Sequence, residues 1–403
     1  MLSVLAHRGY RHLFAAQLIA LMGTGLATVA LGLLAFELAG DQAGLVLGLA
    51  LTIKMVTYVT VVPIASAFAE VLPRKGWLVT LDLIRAFVAL ALPFVSEVWQ
   101  IYALIFLLQA ASAGFTPAFQ ASIPDLLTDE EDYTNALSLS RLAYDLESLI
   151  SPALAAALLG FVSFNTLFFG TSFGFAASAL LVVTVLLPSP QPTKRRSVWT
   201  RTTRGIRLYL ATPRLRGLMG LNLVVASTAA MALVNTVVLV RNMLGGAETN
   251  VALILAAFGA GSMLAAMFLP RVLKQTSDRT VMLSGAGIAL AGSLSLALVL
   301  SAGSLTMANL ALLWFCAGFG YSTIMTPAGR LLRRSAEAED RPALFSAQFT
   351  LSHACWLLTY PLTGWSMASL GAASAAWILT CLGVVGLLAT LRYWPAPDPQ
   401  EEV

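Results

Sequence analysis

Twelve runs of about twenty or more mostly apolar residues, separated by short polar turns, decide what this chain can become. They fall at roughly 13–36, 45–69, 77–96, 99–121, 135–161, 165–187, 215–240, 250–270, 280–301, 305–328, 343–368 and 371–394. The hydrocarbon core of a bilayer takes about 20 apolar residues per helix. Backbone inside it must close its own hydrogen bonds, so such a pattern folds as a bundle of spanning helices. Composition agrees. Of 403 residues, 58% are hydrophobic and only 11% charged, with a mean hydropathy of +0.81. A soluble domain averages about 25% charged residues. The expected class is an all-α, multi-pass membrane protein that is neither a soluble enzyme nor, despite a net charge of +4, a nucleic-acid-binding domain.

The motifs narrow the function further. No GxxxxGK[ST] phosphate loop occurs, and no nucleophile–base or metal motif stands out. Neither catalysis, nor a cofactor, nor ATP-driven work is expected. Cys316, Cys355 and Cys381 all lie in apolar runs without metal-ligand or disulfide spacing. The first run, from Leu13 to about Phe36, is too long for the apolar region of a cleaved signal and reads as a retained span.

The basic residues indicate sides. With the N-terminus placed in the cytoplasm, all Lys and Arg except Lys54, Arg85, Arg141 and Arg241 fall on cytoplasmic connections or termini. That asymmetry is the positive-inside pattern and puts both ends in the cytoplasm, in a plasma membrane of the bacterial inner-membrane type. The acidic stretch "DLLTDEEDY" at 125–133 is on the same side; acids have little topological weight.

The longest connection, "PSPQPTKRRSVWTRTTRGIRLYLATPR" at 188–214, divides the chain into six spans and six spans. The expected organisation is an N-terminal bundle over 1–187, a cytoplasmic linker over 188–214 and a C-terminal bundle over 215–403. Thr116–Ala118 and Thr326–Ala328 repeat Thr-Pro-Ala at equal places in the two halves, and Pro152 and Pro361 follow in the fifth span of each. A six-plus-six arrangement with parallel-repeat halves is the architecture of an alternating-access transporter, with its site near the midplane between the halves.

These residues carry a family resemblance. The chain resembles the major facilitator superfamily, and within it the 12-span drug:proton antiporter branch that includes macrolide-efflux and enterobactin-exporter proteins. "RHLFAAQLIALMGTGLATVALGLL" at 11–34 is similar to that branch's first span, with Gly23-Thr24 where Gly-Asp often stands. "SAFAEVLPRKGWLV" at 66–79 occupies the superfamily's Gly-x-x-x-Asp-Arg-x-Gly-Arg-Lys loop. There Ser66, Glu70, Val71 and Pro73 replace Gly, Asp, Arg and Gly, while Arg74 and Lys75 remain. "LDLIRAFVALALP" at 81–93 and "PAFQASIPDLL" with "NALSL" within 117–139 are closer matches. The resemblance implies two pseudo-symmetric six-helix bundles and secondary transport.

Ionisable residues inside the apolar runs mark the candidate site, because a charge at bilayer depth must face protein or water. In "LSLSRLAYDLESLISP" at 137–152, a 100° helical turn per residue puts Ser138, Arg141, Tyr144, Asp145, Glu147, Ser148 and Ser151 on one face. Arg141 and Asp145, at i and i+4, are expected to pair locally. Glu147 has no local basic partner. Lys54 lies at mid-span without a local partner either, and pairs with Glu147 or with Asp145, or reaches an interface. Glu147 and Asp145 are the candidates for proton coupling. Glu70, Arg74, Lys75, Asp82 and Arg85 are expected to form a structural charge network and gate at the start of the third span. In the eleventh run, Ser346, Thr350, His353 and Tyr360 follow helical spacing. Tyr58, Tyr144, His353, Tyr360, Trp314 and Trp356 are the residues expected to line a substrate cavity.

The expected function is proton-driven export of a small amphipathic molecule such as a drug or siderophore, by a monomer in the bilayer. Two alternatives stand beside it. One is export of a divalent metal such as Ni, Co, Fe or Zn, with His353 as a ligand. The other is a receptor or scaffold that transports nothing, which would have no use for charges at mid-span.

Overall fold

A computed structural model describes residues 2–39, 43–69, 72–187 and 198–394. Among these residues the chain is helical throughout, with thirteen α-helices. They are α1 (Arg8–Ala39), α2 (Ala43–Ala69), α3 (Arg74–Ala91), α4 (Val98–Leu126), α5 (Glu130–Leu159), α6 (Phe164–Val183), α7 (Val198–Ala211), α8 (Pro213–Val237), α9 (Glu248–Val272), α10 (Asp278–Ser301), α11 (Met307–Arg334), α12 (Arg341–Leu370) and α13 (Ala372–Tyr393). A π-helical turn, Val238–Met243, extends α8.

Each of the twelve apolar runs corresponds to one helix. The thirteenth, α7, lies in the connection read from sequence as a linker. Among the described residues ten helices are long and apolar enough to cross a membrane. The two long helices outside that group are α5 and α12, the bearers of the polar faces. Each has 30 residues, about 45 Å of helix, so polarity rather than length sets them apart. Their polar side chains turn inward: Asn135, Ser138, Asp145 and Ser151 of α5 are buried, as are Ser346, Gln348, Thr350 and Thr359 of α12.

The acidic stretch after α4 has a local cause. Asp129 caps α5 and accepts hydrogen bonds from the backbone N–H groups of Glu131 at 2.9 Å and Asp132 at 3.0 Å. Glu130, Glu131 and Asp132 then occupy the first turn, where negative charge meets the positive end of the helix dipole. Prolines inside α2, α4, α9, α11 and α12 each remove one backbone donor. Helices packed in a membrane protein tolerate that loss because neighbours satisfy the freed groups.

The chain forms two compact units. One holds Met1–Gly205 with Ala336–His353, the other Ile206–Ser335 with Ala354–Val403, so the division falls inside α12. In the first unit α1 packs on α5 and α6, α3 on α4 and α6, and α2 on α4. Close approach of α1 and α6 is tied by Thr171, whose hydroxyl donates to the Gly23 carbonyl at 2.8 Å. In the second unit α11 packs on α9 and α10, and α13 on α8 and α10. Its core gathers Met231, Leu239, Leu296, Leu310, Trp314 and Leu379.

Candidate functional site

The charged face of α5 is assembled within the first unit. Arg141 Nε donates to Asp145 Oδ1 at 3.1 Å, and its Nη2 reaches the same oxygen. Asp145 is buried. The i, i+4 pairing read from sequence is therefore present. Glu147 points to another neighbour. A Cβ on Gly25 of α1 would stand 3.0 Å from Glu147 Oε1 and would overlap Ser151. The glycine thus lets α1 come close enough to pack directly on the carboxylate.

Among the described residues no ion pair joins Glu147 to Lys54 of α2; each feels the other's charge only at longer range. Lys54 in turn lies against an aromatic group. Its Nζ is 5.8 Å from the ring centre of Tyr58, a separation at which the ring quadrupole attracts a cation. Tyr58 meets Phe349 and His353 of α12 edge-on at 5.0 Å and 4.9 Å, and Phe349 stacks on His353 at 4.1 Å. His353 Nδ1 lies 2.7 Å from the Phe349 carbonyl. A carbonyl only accepts, so Nδ1 carries the hydrogen, and in the neutral ring the free acceptor is Nε2. Tyr144 of α5 lines a small cavity with Gln17 of α1 and feels the charges of Arg141 and Glu147. Lys54, Tyr58, Tyr144, Glu147 and His353 thus share one neighbourhood although they come from three helices.

Arg85 belongs to this interior as well. It pairs with Asp82, and Ser178 donates to Asp82 Oδ2 at 2.8 Å. Its guanidinium lies 4.0 Å from the Phe115 ring centre and 4.5 Å from that of Phe175. It lines a cavity of about 50 Å3 with Gln17, Thr24, Phe115, Thr116 and Tyr144, large enough for water. The sequence reading joined Asp82 and Arg85 to the loop at 70–75. Their pairing holds, but both are buried in the bundle, and their contacts among the described residues run to α4, α5 and α6.

The loop charges take other partners. Arg74 pairs with Asp125 at the end of α4, and Arg341 reaches the same carboxylate at 3.5 Å. Lys75 Nζ donates to the Val183 carbonyl at 2.9 Å. Arg204 pairs with Asp340. Glu70 lies outside the described residues. Asp125 was missed from sequence because it sits in an acidic stretch whose other members cap a helix.

In the second unit Asp278 was also missed. It accepts from Arg334 at 3.0 Å and lies 3.3 Å from Arg330. Trp314, expected in the cavity, is instead core. It is 3% exposed, and its Nε1 donates to Thr236 Oγ1 at 2.7 Å. Trp356 and Tyr360 lie ring to ring at 5.0 Å. Among the described residues no three of His, Cys, Asp and Glu converge as a metal-binding group.

Known proteins place this arrangement. The sequence profile of the Major Facilitator Superfamily matches residues 13–240 and 218–403. YfiS of Bacillus subtilis (strain 168), described as an uncharacterized MFS-type transporter, is 24% identical over 268 residues, 64% of this chain and 63% of its own length. That match therefore spans less than two thirds of the relative. The crystal structure of the human organic anion transporter MFSD10 (TETRAN) superposes with a TM-score of 0.78, covering 95% of this chain and 99% of its own, at 12% identity. A likeness at that identity shows the fold, which is all-α and of the major facilitator type. The chain is a multi-pass membrane protein and belongs to the Major Facilitator Superfamily.

Proposed function

We propose that the protein is a secondary active transporter of the drug:proton antiporter kind, which exports a small amphipathic molecule by alternating access as protons enter. The observation that carries this reading is the placement inside the first unit of Lys54 against the Tyr58–Phe349–His353 ring cluster, with the Glu147 carboxylate packed on Gly25 of α1. A carboxylate and an ammonium at bilayer depth are costly for a scaffold and useful to a proton carrier. Protonating Glu147 removes the negative charge that Lys54 senses, so the charge balance of the site changes with each proton loaded. Asp145 is tied to Arg141 and fits a structural part better, which favours Glu147 as the coupling acid. The aromatic groups around Lys54 suit an apolar guest.

The basic residues at the connections support cytoplasmic termini in a membrane of the bacterial inner-membrane type, with six spans on each side of 188–214. Cysteine labelling at 40–42 and at 194–196 is expected to report opposite sides; labelling from one side alone ends that topology.

The test of coupling uses proteoliposomes with a pH-sensitive dye inside, challenged with dyes, antibiotics and siderophores. The wild type is expected to move protons against at least one compound. Glu147→Gln is expected to keep binding that compound and to lose proton movement. Wild-type rates for Glu147→Gln, Asp145→Asn and the double variant across pH 6 to 8 would remove both acids from the mechanism.

A further inference from the structure

The second unit contains a cavity that the proposed transport chemistry does not use. Its volume is about 480 Å3, within the range of roughly 300–1,000 Å3 usual for ligand pockets. α7, α8, α12 and α13 wall it, and the walls are apolar, with Leu210, Met219, Leu223, Leu358 and Val385 among them. Leu210, Leu358 and Val385 are exposed, so the cavity opens sideways along the helices. Its floor is low because α8 and α13 meet backbone to backbone: a Cβ on Gly386 would come 2.6 Å from the Gly220 carbonyl oxygen.

One end differs. Arg216 and Tyr393 line it, with the guanidinium 5.0 Å from the Tyr393 ring centre. Arg216 is the fourth residue of α8 and Tyr393 the last of α13. The cationic end therefore lies where these helices leave the apolar slab, and Leu223, seven residues further along α8, lies about 10 Å deeper. Arg216 Nε is buried and has no hydrogen-bond partner. That atom is closed off even from water, so what faces the groove is the delocalised charge of the guanidinium that lines it, and a cation at the mouth of an apolar groove is complemented by an anion. The ligand that presents an anion at the membrane boundary and an apolar chain below it, and that enters from the side, is a phospholipid.

We propose that this groove is a binding site for an anionic phospholipid of the surrounding bilayer, with its phosphate at Arg216 and an acyl chain along Met219, Leu223, Leu358 and Val385. A basic pocket between helices at the membrane boundary is the setting in which lipid headgroups are recognised. The proposal is independent of the transport reading, because none of these residues belongs to the Glu147–Lys54 site.

Native mass spectrometry of the full chain in detergent tests it, with phosphatidylglycerol and phosphatidylcholine of identical acyl chains. The wild type is expected to retain phosphatidylglycerol in preference to phosphatidylcholine. Arg216→Gln should weaken phosphatidylglycerol about fivefold, the usual worth of one basic side chain near an anionic surface, and erase the preference. Arg216→Lys should keep most of it. Ala389→Trp fills the groove while leaving the positive charge in place and should remove the bound lipid. Unchanged binding by either Arg216→Gln or Ala389→Trp overturns the proposal. If Arg216→Gln does not yield a monodisperse protein, Ala389→Trp decides alone. Retention of soluble dodecyl phosphate but not of phosphatidylglycerol also overturns it, since the groove would then take a free amphiphile.

Discussion

Gly25 of α1 and Glu147 of α5 are so close that a methyl group on the glycine would stand 3.0 Å from the carboxylate oxygen Oε1 and would strike Ser151. Gly25→Ala gains helix propensity, about 1 kcal/mol at most. It also overpacks two helices, which typically costs about 1–3 kcal/mol. The expected result is a net loss of thermal stability in detergent together with loss of proton movement. A variant as stable and as active as the wild type would mean that the two helices do not pack this closely.

Asp145→Asn deprives Arg141 of its buried acid partner. Breaking a buried pair from one side costs about 3 kcal/mol, so this variant should be less stable than Glu147→Gln. Combining it with Arg141→Leu should recover part of the loss. Thermal unfolding of the four proteins, followed by tryptophan fluorescence, makes the comparison.

Asp125 holds Arg74 and Arg341 on one carboxylate. Removing either arginine leaves the other in place, whereas Asp125→Asn disturbs both. Arg74→Gln and Arg341→Gln should therefore be non-additive, with a coupling of about 0.5–3 kcal/mol in a double-mutant cycle. Strict additivity would show that the two guanidinium groups do not share the acid.

Arg85→Lys keeps the charge beside Asp82 but loses the flat guanidinium lying against Phe115 and Phe175. An ammonium cannot stack on two rings at once. The expected loss is about 1–2 kcal/mol of stability, read from the midpoint of thermal unfolding. A Lys variant with the wild-type midpoint would assign those rings no share in holding the cation.

Trp314→Phe separates core from cavity. The substitution removes one hydrogen bond, to Thr236, worth about 1 kcal/mol, and leaves a small cavity where the second ring of the indole stood. Stability should fall slightly while the range of transported compounds stays the same. A changed compound range at unchanged stability would return Trp314 to the cavity lining.

The features legible along the chain are local. Apolar runs of bilayer length set the class and located twelve of the thirteen helices. Helical periodicity put Arg141, Asp145 and Glu147 on one face and paired the first two, because an i, i+4 contact follows from the geometry of a single helix. The Asp82–Arg85 pair was legible for the same reason. Which charges meet across helices depends on how the helices pack. Arg74 and Arg341 are 51 and 216 residues from Asp125, and nothing in the periodicity of any one helix selects that acid. Lys54 had two candidate partners, and the electrostatic relationship with Glu147 depends on how α1, α2 and α5 are rotated and how near Gly25 lets them come. Trp314 was misplaced because residue type alone does not say whether an aromatic ring packs in a core, and the packing of Arg85 against Phe115 and Phe175 was not legible either. Those outcomes are set by the close-packed fit of side chains from distant parts of the chain.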